Sequence, residues 1–281
     1  MEKRYITQEL IKRFEIYLQN EEKSQNTMEK YLRDVKAFAK YVGDKEIIKS
    51  DVVTYKNELI QKQYAIRSIN SMLASLNSMF SFLGWNDCKV KNIRLQRQLF
   101  CPKEKELTKI EYERLVMTAR RMGNERLYLV LQTICGTGIR VSELQYITVE
   151  ATKKGMAKVF LKGKNRDIFI VNDLKKKLLD YARKQNISSG PIFVTSGGSV
   201  ISRTNIWREM KRLCGYAKVN PKKVFPHNLR HLFARTFYEI KKDIAKLADV
   251  LGHSNIDTTR IYITTTGEEH MQNMKKMRLI I

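Results

Sequence analysis

The sequence predicts a mainly α-helical protein with one small β-sheet, an all-helical N-terminal domain followed by an α+β domain. Three observations predict this. Apolar residues recur at helical spacing through most of the chain. One short stretch switches to paired β-prone runs around a glycine. At 281 residues the chain also suits two domains better than one. With 43% apolar and 29% charged residues, 13 Gly and 4 Pro, it can bury a core, which excludes disordered and fibrous classes.

Residues 7–42 have helical periodicity, with Met28, Tyr31, Leu32, Val35, Phe38 and Val42 on one stripe. Asn26 with Glu29 three residues later is a capping-box pair that starts a helix there. Further helices are expected near Ser50–Lys62 and through residues 66–84, where Ile69, Leu73, Leu76, Phe80 and Leu83 share a side. This domain, 1–86, ends near Trp85. Over 87–106 the periodicity fades and basic residues accumulate, as in a linker that tracks a phosphate backbone or in an ordinary solvated connector. The second domain, 107–281, opens at Thr108, a cap for a helix with Glu111 in its first turn. A helix through Arg126–Gly136 follows, then a hairpin around Gly163-Lys164-Asn165 and a helix from Asp173 to Gln185. A short strand is expected at Ile192–Val194, with helices at Asn205–Gly215, His227–Ile240 and Asp243–Leu251 after it.

Charge narrows the partner. The chain carries 53 Lys plus Arg against 29 Asp plus Glu, a net +24. Residues 1–86 hold 14 basic and 11 acidic side chains, whereas 87–281 hold 39 and 18. An excess so concentrated favours a polyanion, nucleic acid first, although ribosomal and membrane-surface proteins share it. No apolar run of about 18 residues offers a membrane span, and the charged N-terminus lacks a signal-peptide core. The protein is expected to stay where it is made. Cys88, Cys101, Cys135 and Cys214 form no CxxC pair, so buried thiols in a reducing compartment are expected and a structural zinc site is not.

Three segments carry chemistry. In CGTGIRVSELQ, Gly136 and Gly138 break a helix, and Arg140 follows at a turn that can hold its fork against a phosphate. Glu143, three residues on, can orient that guanidinium. An ordinary surface ion pair would look the same. In FPHNLRHLFARTFYEI, Pro226 suits a first helical turn, which places His227 and Arg230 at a helix N-terminus. The wheel puts Leu229, Leu232, Phe233, Thr236, Phe237 and Ile240 on the core face, His227 and His231 opposite, and Arg230 at the edge. Asn228 stands where a metalloprotease helix needs Glu, which removes the zinc-protease reading. In LADVLGHSNIDTTRIYI, Gly252 stops a helix and His253 follows. Ser254 can cap the next helix, and Tyr262 lies nine residues after His253.

Arg140, His227-x-x-Arg230, Leu251-Gly252-His253 and Tyr262, in this order and spacing, resemble the tyrosine recombinase (phage integrase) family over most of the chain. The resemblance implies a helical core-binding domain and a catalytic domain that form a clamp around double-stranded DNA. It implies that Tyr262 attacks a DNA phosphate, leaving a 3′-phosphotyrosyl bond and a free 5′-hydroxyl. Arg140 and Arg230 would clamp the nonbridging oxygens, His227 would manage the tyrosine proton, and His253 would donate to the phosphate. Glu143 would support Arg140 from behind. No cofactor, metal or ATP is implied, because the covalent intermediate keeps the phosphodiester energy.

A hairpin lysine would protonate the leaving 5′-oxygen. The family usually has Gly-Lys-Gly, then a basic residue and a proline in the returning strand. Here Lys162 matches best, Lys164 remains open, and Ile170 stands where proline is expected. The resemblance further implies a homotetramer that passes through a Holliday junction. The tail EEHMQNMKKMRLII would be an amphipathic helix exchanged between subunits. It leaves room for an accessory DNA-bending protein and places the enzyme in the cytoplasm with the nucleoid. Integrase or transposase of a mobile element fits this reading. Two alternatives share its features: a relaxing topoisomerase of the same chemistry, and a catalytically idle DNA-binding relative.

Overall fold

A computed structural model describes residues 4–94, 106–161, 164–253 and 255–260, together with Tyr262, Met271 and 275–277; of Leu161 and Lys164 only the backbone is described. The chain divides into two compact units, Met1–Arg97 and Gln98–Ile281. No helix of the described residues is long and apolar enough to cross a membrane.

The first unit holds four helices: α1 (Gln8–Asn20), α2 (Gln25–Val42), α3 (Lys49–Gln61) and α4 (Ile66–Phe82). The expected stripes meet in one core, where Phe14, Phe38, Leu73, Leu76 and Phe80 are fully buried. The helical stretch 7–42 is broken at Glu22, whose φ of +51° ends α1. Helix α2 then starts at Gln25 with Ser24 as N-cap, so Asn26 is a helical residue and not the cap. Glu29 is drawn away from any capping role by Gln25, whose Nε2 donates to Glu29 Oε1 at 3.0 Å. Residues beyond 86 belong to this unit as well. Cys88 and Val90 are buried in its core. The side-chain amides of Asn77 and Asn70 bond Val90 and Ile93 on both backbone N–H and C=O, as a strand partner would. Residues 95–105, the rest of the expected linker, lie outside the described residues.

The second unit is built from α5 (Lys109–Arg121), α6 (Glu125–Thr137), a 3₁₀ turn at Val141–Tyr146 and α7 (Val149–Lys154). The strands β1 (Met156–Leu161) and β2 (Lys164–Phe169) follow, then α8 (Asn172–Lys184), α9 (Arg203–Ala217), α10 (Pro226–Lys241), α11 (Ile244–Leu251) and α12 (Ile256–Arg260). Helix α5 starts where the sequence places it: the Thr108 hydroxyl accepts from Glu111 N–H, and Glu111 accepts from Thr108 N–H. The strands pair antiparallel with Val159 opposite Arg166. Their inner face, Ala157, Val159, Ile168 and Ile170, closes the core of this unit.

Residues 192–194 make no strand. Pro191 cannot donate to a ladder, and the segment is fastened by isolated bridges, Thr148 to Pro191 and Val194 to Val200. Ile192 and Phe193 serve instead as fully buried plugs. The C-terminal tail lies outside the described residues except for Met271 and 275–277, which are helical.

Candidate active site

Two glycines shape the site. Helix α6 ends at Gly138 in the left-handed region, φ +65°, where a Cβ would sit 2.4 Å from a ring carbon of Phe233 on α10. Only glycine lets α10 come this close. The chain then extends through Arg140 into the 3₁₀ turn, and the Arg140 N–H donates to Glu143 Oε2 at 2.7 Å. Arg140 Nη1 donates to Glu143 Oε1 at 3.0 Å. The carboxylate is 1% exposed while the Arg140 side chain keeps 41% of its surface open, so the fork is gripped from behind and faces outward. Helix α11 ends at Gly252, φ +64°, and the His253 N–H bonds back to Ala248 O at 2.9 Å. This C-terminal turn throws the His253 ring toward α10.

Arg230 is the hub. The helical wheel places it at an edge, yet it is 1% exposed, the largest fully buried side chain described. The reason is that α10 has neighbours on two sides. Arg230 Nη1 donates to Gly138 O at 2.5 Å, and Nη2 to Leu251 O at 2.7 Å and to His253 Nε2 at 2.9 Å. Ile240, placed on the core face by the same wheel, is 72% exposed, because the last turn of α10 runs past the core. Burial and the repulsion of Arg140 push the Arg230 pKa down to about 10; the nearby Tyr262 hydroxyl acts the other way. The Arg230 Nε–H has no hydrogen-bond acceptor among the described residues.

Guanidinium has no acceptor, so the bond from Arg230 fixes His253 Nε2 as the acceptor and puts the ring proton on Nδ1. Nδ1 then donates to Thr259 Oγ1 at 2.8 Å. In this arrangement both nitrogens of His253 are engaged. Tyr262 follows α12 and is 6% exposed. Its ring stacks on His253 with centroids 5.5 Å apart, lies 4.2 Å from the ring of His231 and 5.7 Å from that of His227. Burial against apolar neighbours, with the charges of Arg230 and others added, keeps these histidines neutral. His253 is pushed down to about 4 and His231 to about 3, and His227, which has an exposed edge, is lowered too.

The fold thus brings together Arg140, Glu143, His227, Arg230, His253 and Tyr262, which span 123 positions of sequence. Lys162, and Ser254 as a cap, lie outside the described residues, and the side chain of Lys164 is not described. Sequence reasoning missed three residues that the site uses: His231, Thr259 and Arg166. Arg166 forms an ion pair with Glu143 Oε2 and donates to Val250 O at 2.8 Å. Its signal was strand alternation, since Arg166 shares the period-two register of the buried Ile168 and Ile170.

The histidine environment has a consequence for pH. Unfolded histidines titrate near 6.5, whereas His253 and His231 hold no proton until about pH 4 and 3. Between those limits the unfolded chain binds protons that the folded one refuses, so stability is complete above about pH 6.5 and falls toward pH 4. Thermal melts at pH 7, 6 and 5 should show a falling midpoint. His231→Phe should flatten the fall by up to one proton's worth of slope. A midpoint indifferent to pH over this range contradicts the assignment.

Comparison with known proteins agrees with this construction. Residues 105–269 match the Phage integrase family, and residues 11–87 match the phage integrase N-terminal SAM-like domain. Tyrosine recombinase XerA of Pyrococcus furiosus is 30% identical over 290 residues, covering 100% of this chain and 98% of that protein. A crystal structure of XerA recombinase superposes with a TM-score of 0.53 at 25% identity, covering 97% and 98% of the two chains. A λ integrase tetramer bound to a Holliday junction superposes at 0.73 with 19% identity, covering 90% and 76%, a likeness of fold. From the arginines paired with the buried Glu143 to the tyrosine among the histidines, and along its whole length, the chain belongs to the phage integrase family of tyrosine recombinases.

Proposed function

We propose that the protein is a site-specific DNA recombinase that cuts and rejoins strands through Tyr262. The observation that carries this reading is that Tyr262 packs on His253, which is bonded to Arg230 in the same chain. A nucleophile, two guanidiniums and neutral imidazoles in one pocket are what phosphoryl transfer without hydrolysis needs. In the reaction, Tyr262 Oη bonds to phosphorus while the bond to the 5′-oxygen breaks. The phenolic proton goes to His227, which is neutral and therefore able to accept it. The leaving 5′-oxygen takes a proton from Lys162. Rejoining reverses these transfers with the 5′-hydroxyl of a second strand, so no ATP is consumed.

Electrostatics supports the same substrate. Arg140 lowers the proton affinity of Arg166 and Arg230, all three arginines lower that of His253, and Glu143 is the carboxylate paired with Arg140 and Arg166. Such a surplus of cationic donors is relieved by a phosphate. Arg140 has the open side chain to meet the first oxygen. With +24 overall, DNA affinity should fall steeply with salt. Assembly as a homotetramer on two DNA sites, with the C-terminal helix exchanged between subunits and strands passing through a Holliday junction, belongs to this proposal, as does action beside the chromosome. So does the division of labour between 1–86 and 107–281. The solved neighbour of the same fold supports it: λ integrase was solved as a tetramer bound to a Holliday junction.

A nicked duplex tests the reading. Built from the sequence this protein selects out of a random pool, it loses the fragment downstream of the cut and traps the adduct. Arg140→Ala should capture about 10²–10³-fold more slowly, the usual cost of one donor at a developing oxyanion. Its affinity for intact duplex should stay within a few-fold. A loss of affinity as large as the loss of rate would make Arg140 a backbone contact instead.

A further inference from the structure

We propose that Arg166 is a positioning residue for strand cleavage, a bracket that holds Arg140 and the turn before His253 in one geometry. The proposal rests on the recombinase reading above. Arg166 lies on β2, two residues past the start of the strand that leaves the hairpin tip, and its side chain is 10% exposed. Each of its contacts leads to a different part of the site. Nη2 pairs with Glu143 Oε2, the oxygen that also accepts the Arg140 backbone N–H. Nη1 donates to Val250 O, three residues before His253. Its aliphatic stem crosses the turn at Gly252, where a Cβ would lie 2.5 Å from Arg166 Cδ. The glycine before His253 is therefore needed twice, for its positive φ and for the passage of this arginine.

Closing a corner of the core does not require such a residue. A buried guanidinium is expensive to desolvate, Arg140 repels it, and its Nε–H has no hydrogen-bond acceptor among the described residues. Apolar side chains in place of the whole Arg166–Glu143 pair would close the same space at little or no loss of stability. What the guanidinium adds is a planar fork that fixes the rotation of the Glu143 carboxylate while holding the end of α11. Glu143 in turn fixes the plane of Arg140. Through one side chain, the group that would clamp the phosphate and the turn that presents His253 share a reference point on β2. A shift of about 1 Å in such a group costs on the order of 10² in rate.

Single-turnover capture on the nicked duplex, run beside affinity for intact duplex and thermal melts, separates this role from a structural one. Arg166→Ala should slow capture about 100-fold and leave affinity within about 2-fold. In a Glu143→Ala background the same change should cost less than about 5-fold, because both act through one linkage. Arg166→Lys carries the test if the alanine variant does not fold. Its single ammonium reaches Glu143 without also holding Val250 O, so capture should recover only part of the way, about 10-fold below wild type. Wild-type capture by Arg166→Lys, costs that add fully with Glu143→Ala, or equal losses of affinity and rate would overturn the proposal. A wild-type protein that forms no adduct fails the recombinase reading itself and takes this inference with it.

Discussion

Tyr262→Phe should bind the selected duplex with wild-type affinity and form no covalent adduct, a loss of at least about 10⁴-fold in capture. The substitution removes one oxygen and leaves the packing. The ring stays stacked on His253 and against His231, and its 6% exposure means that little of it meets solvent. Affinity comes from Lys and Arg contacts to the backbone along the duplex, which the phenol does not supply. The separation between binding and chemistry should therefore be complete. An adduct that persists in this variant would place the nucleophile elsewhere.

Arg230→Met should lose capture by at least about 10³-fold with a limited change in stability. Two effects of opposite sign partly offset each other. Holding the guanidinium charged with its pKa at about 10 instead of the ordinary 12.5 costs about 3 kcal/mol. Removing it leaves the carbonyls of Gly138 and Leu251 without their donor, at about 1–3 kcal/mol each. Methionine keeps most of the buried volume, so no large cavity opens. The net shift should lie between about 1 kcal/mol of stabilisation and about 3 kcal/mol of loss. The site would then be one whose charge is tolerated for function and not for stability. A variant that unfolds outright, or one that captures DNA at the wild-type rate, contradicts this account of Arg230.

Much of this was legible in the sequence, for local reasons. Thr108 with Glu111 marks a helix start because both members of the capping box lie within one turn. Ile69, Leu73, Leu76 and Phe80 reveal a helix face because one neighbour buries it. The order Arg140, His227-x-x-Arg230, Gly252-His253, Tyr262 is legible because each motif sits at a helix end, where glycine, proline and cap residues leave a trace. What was not legible depends on more than one neighbour. Arg230 is buried because α6 and α11 both close on α10, and a helical wheel contains one partner at most. Asn26 loses the cap to Ser24 through a turn centred on Glu22, whose positive φ nothing in the pattern announces. Ile192 and Phe193 read as a strand by composition, but Pro191 denies them a ladder and they pack as plugs. Arg166 was visible only as a basic residue in a strand; its meaning lies in Glu143 and Val250, 23 and 84 positions away.

The most direct measurement is to trap the wild-type protein on the nicked duplex, digest the adduct and read by mass spectrometry which residue carries the nucleotide. The account predicts a single modified peptide, with a 3′-phosphate esterified to the oxygen of Tyr262 and a free 5′-hydroxyl on the released fragment. A 5′-linked adduct, a linkage to another residue, or hydrolysed DNA with no linkage at all would contradict it.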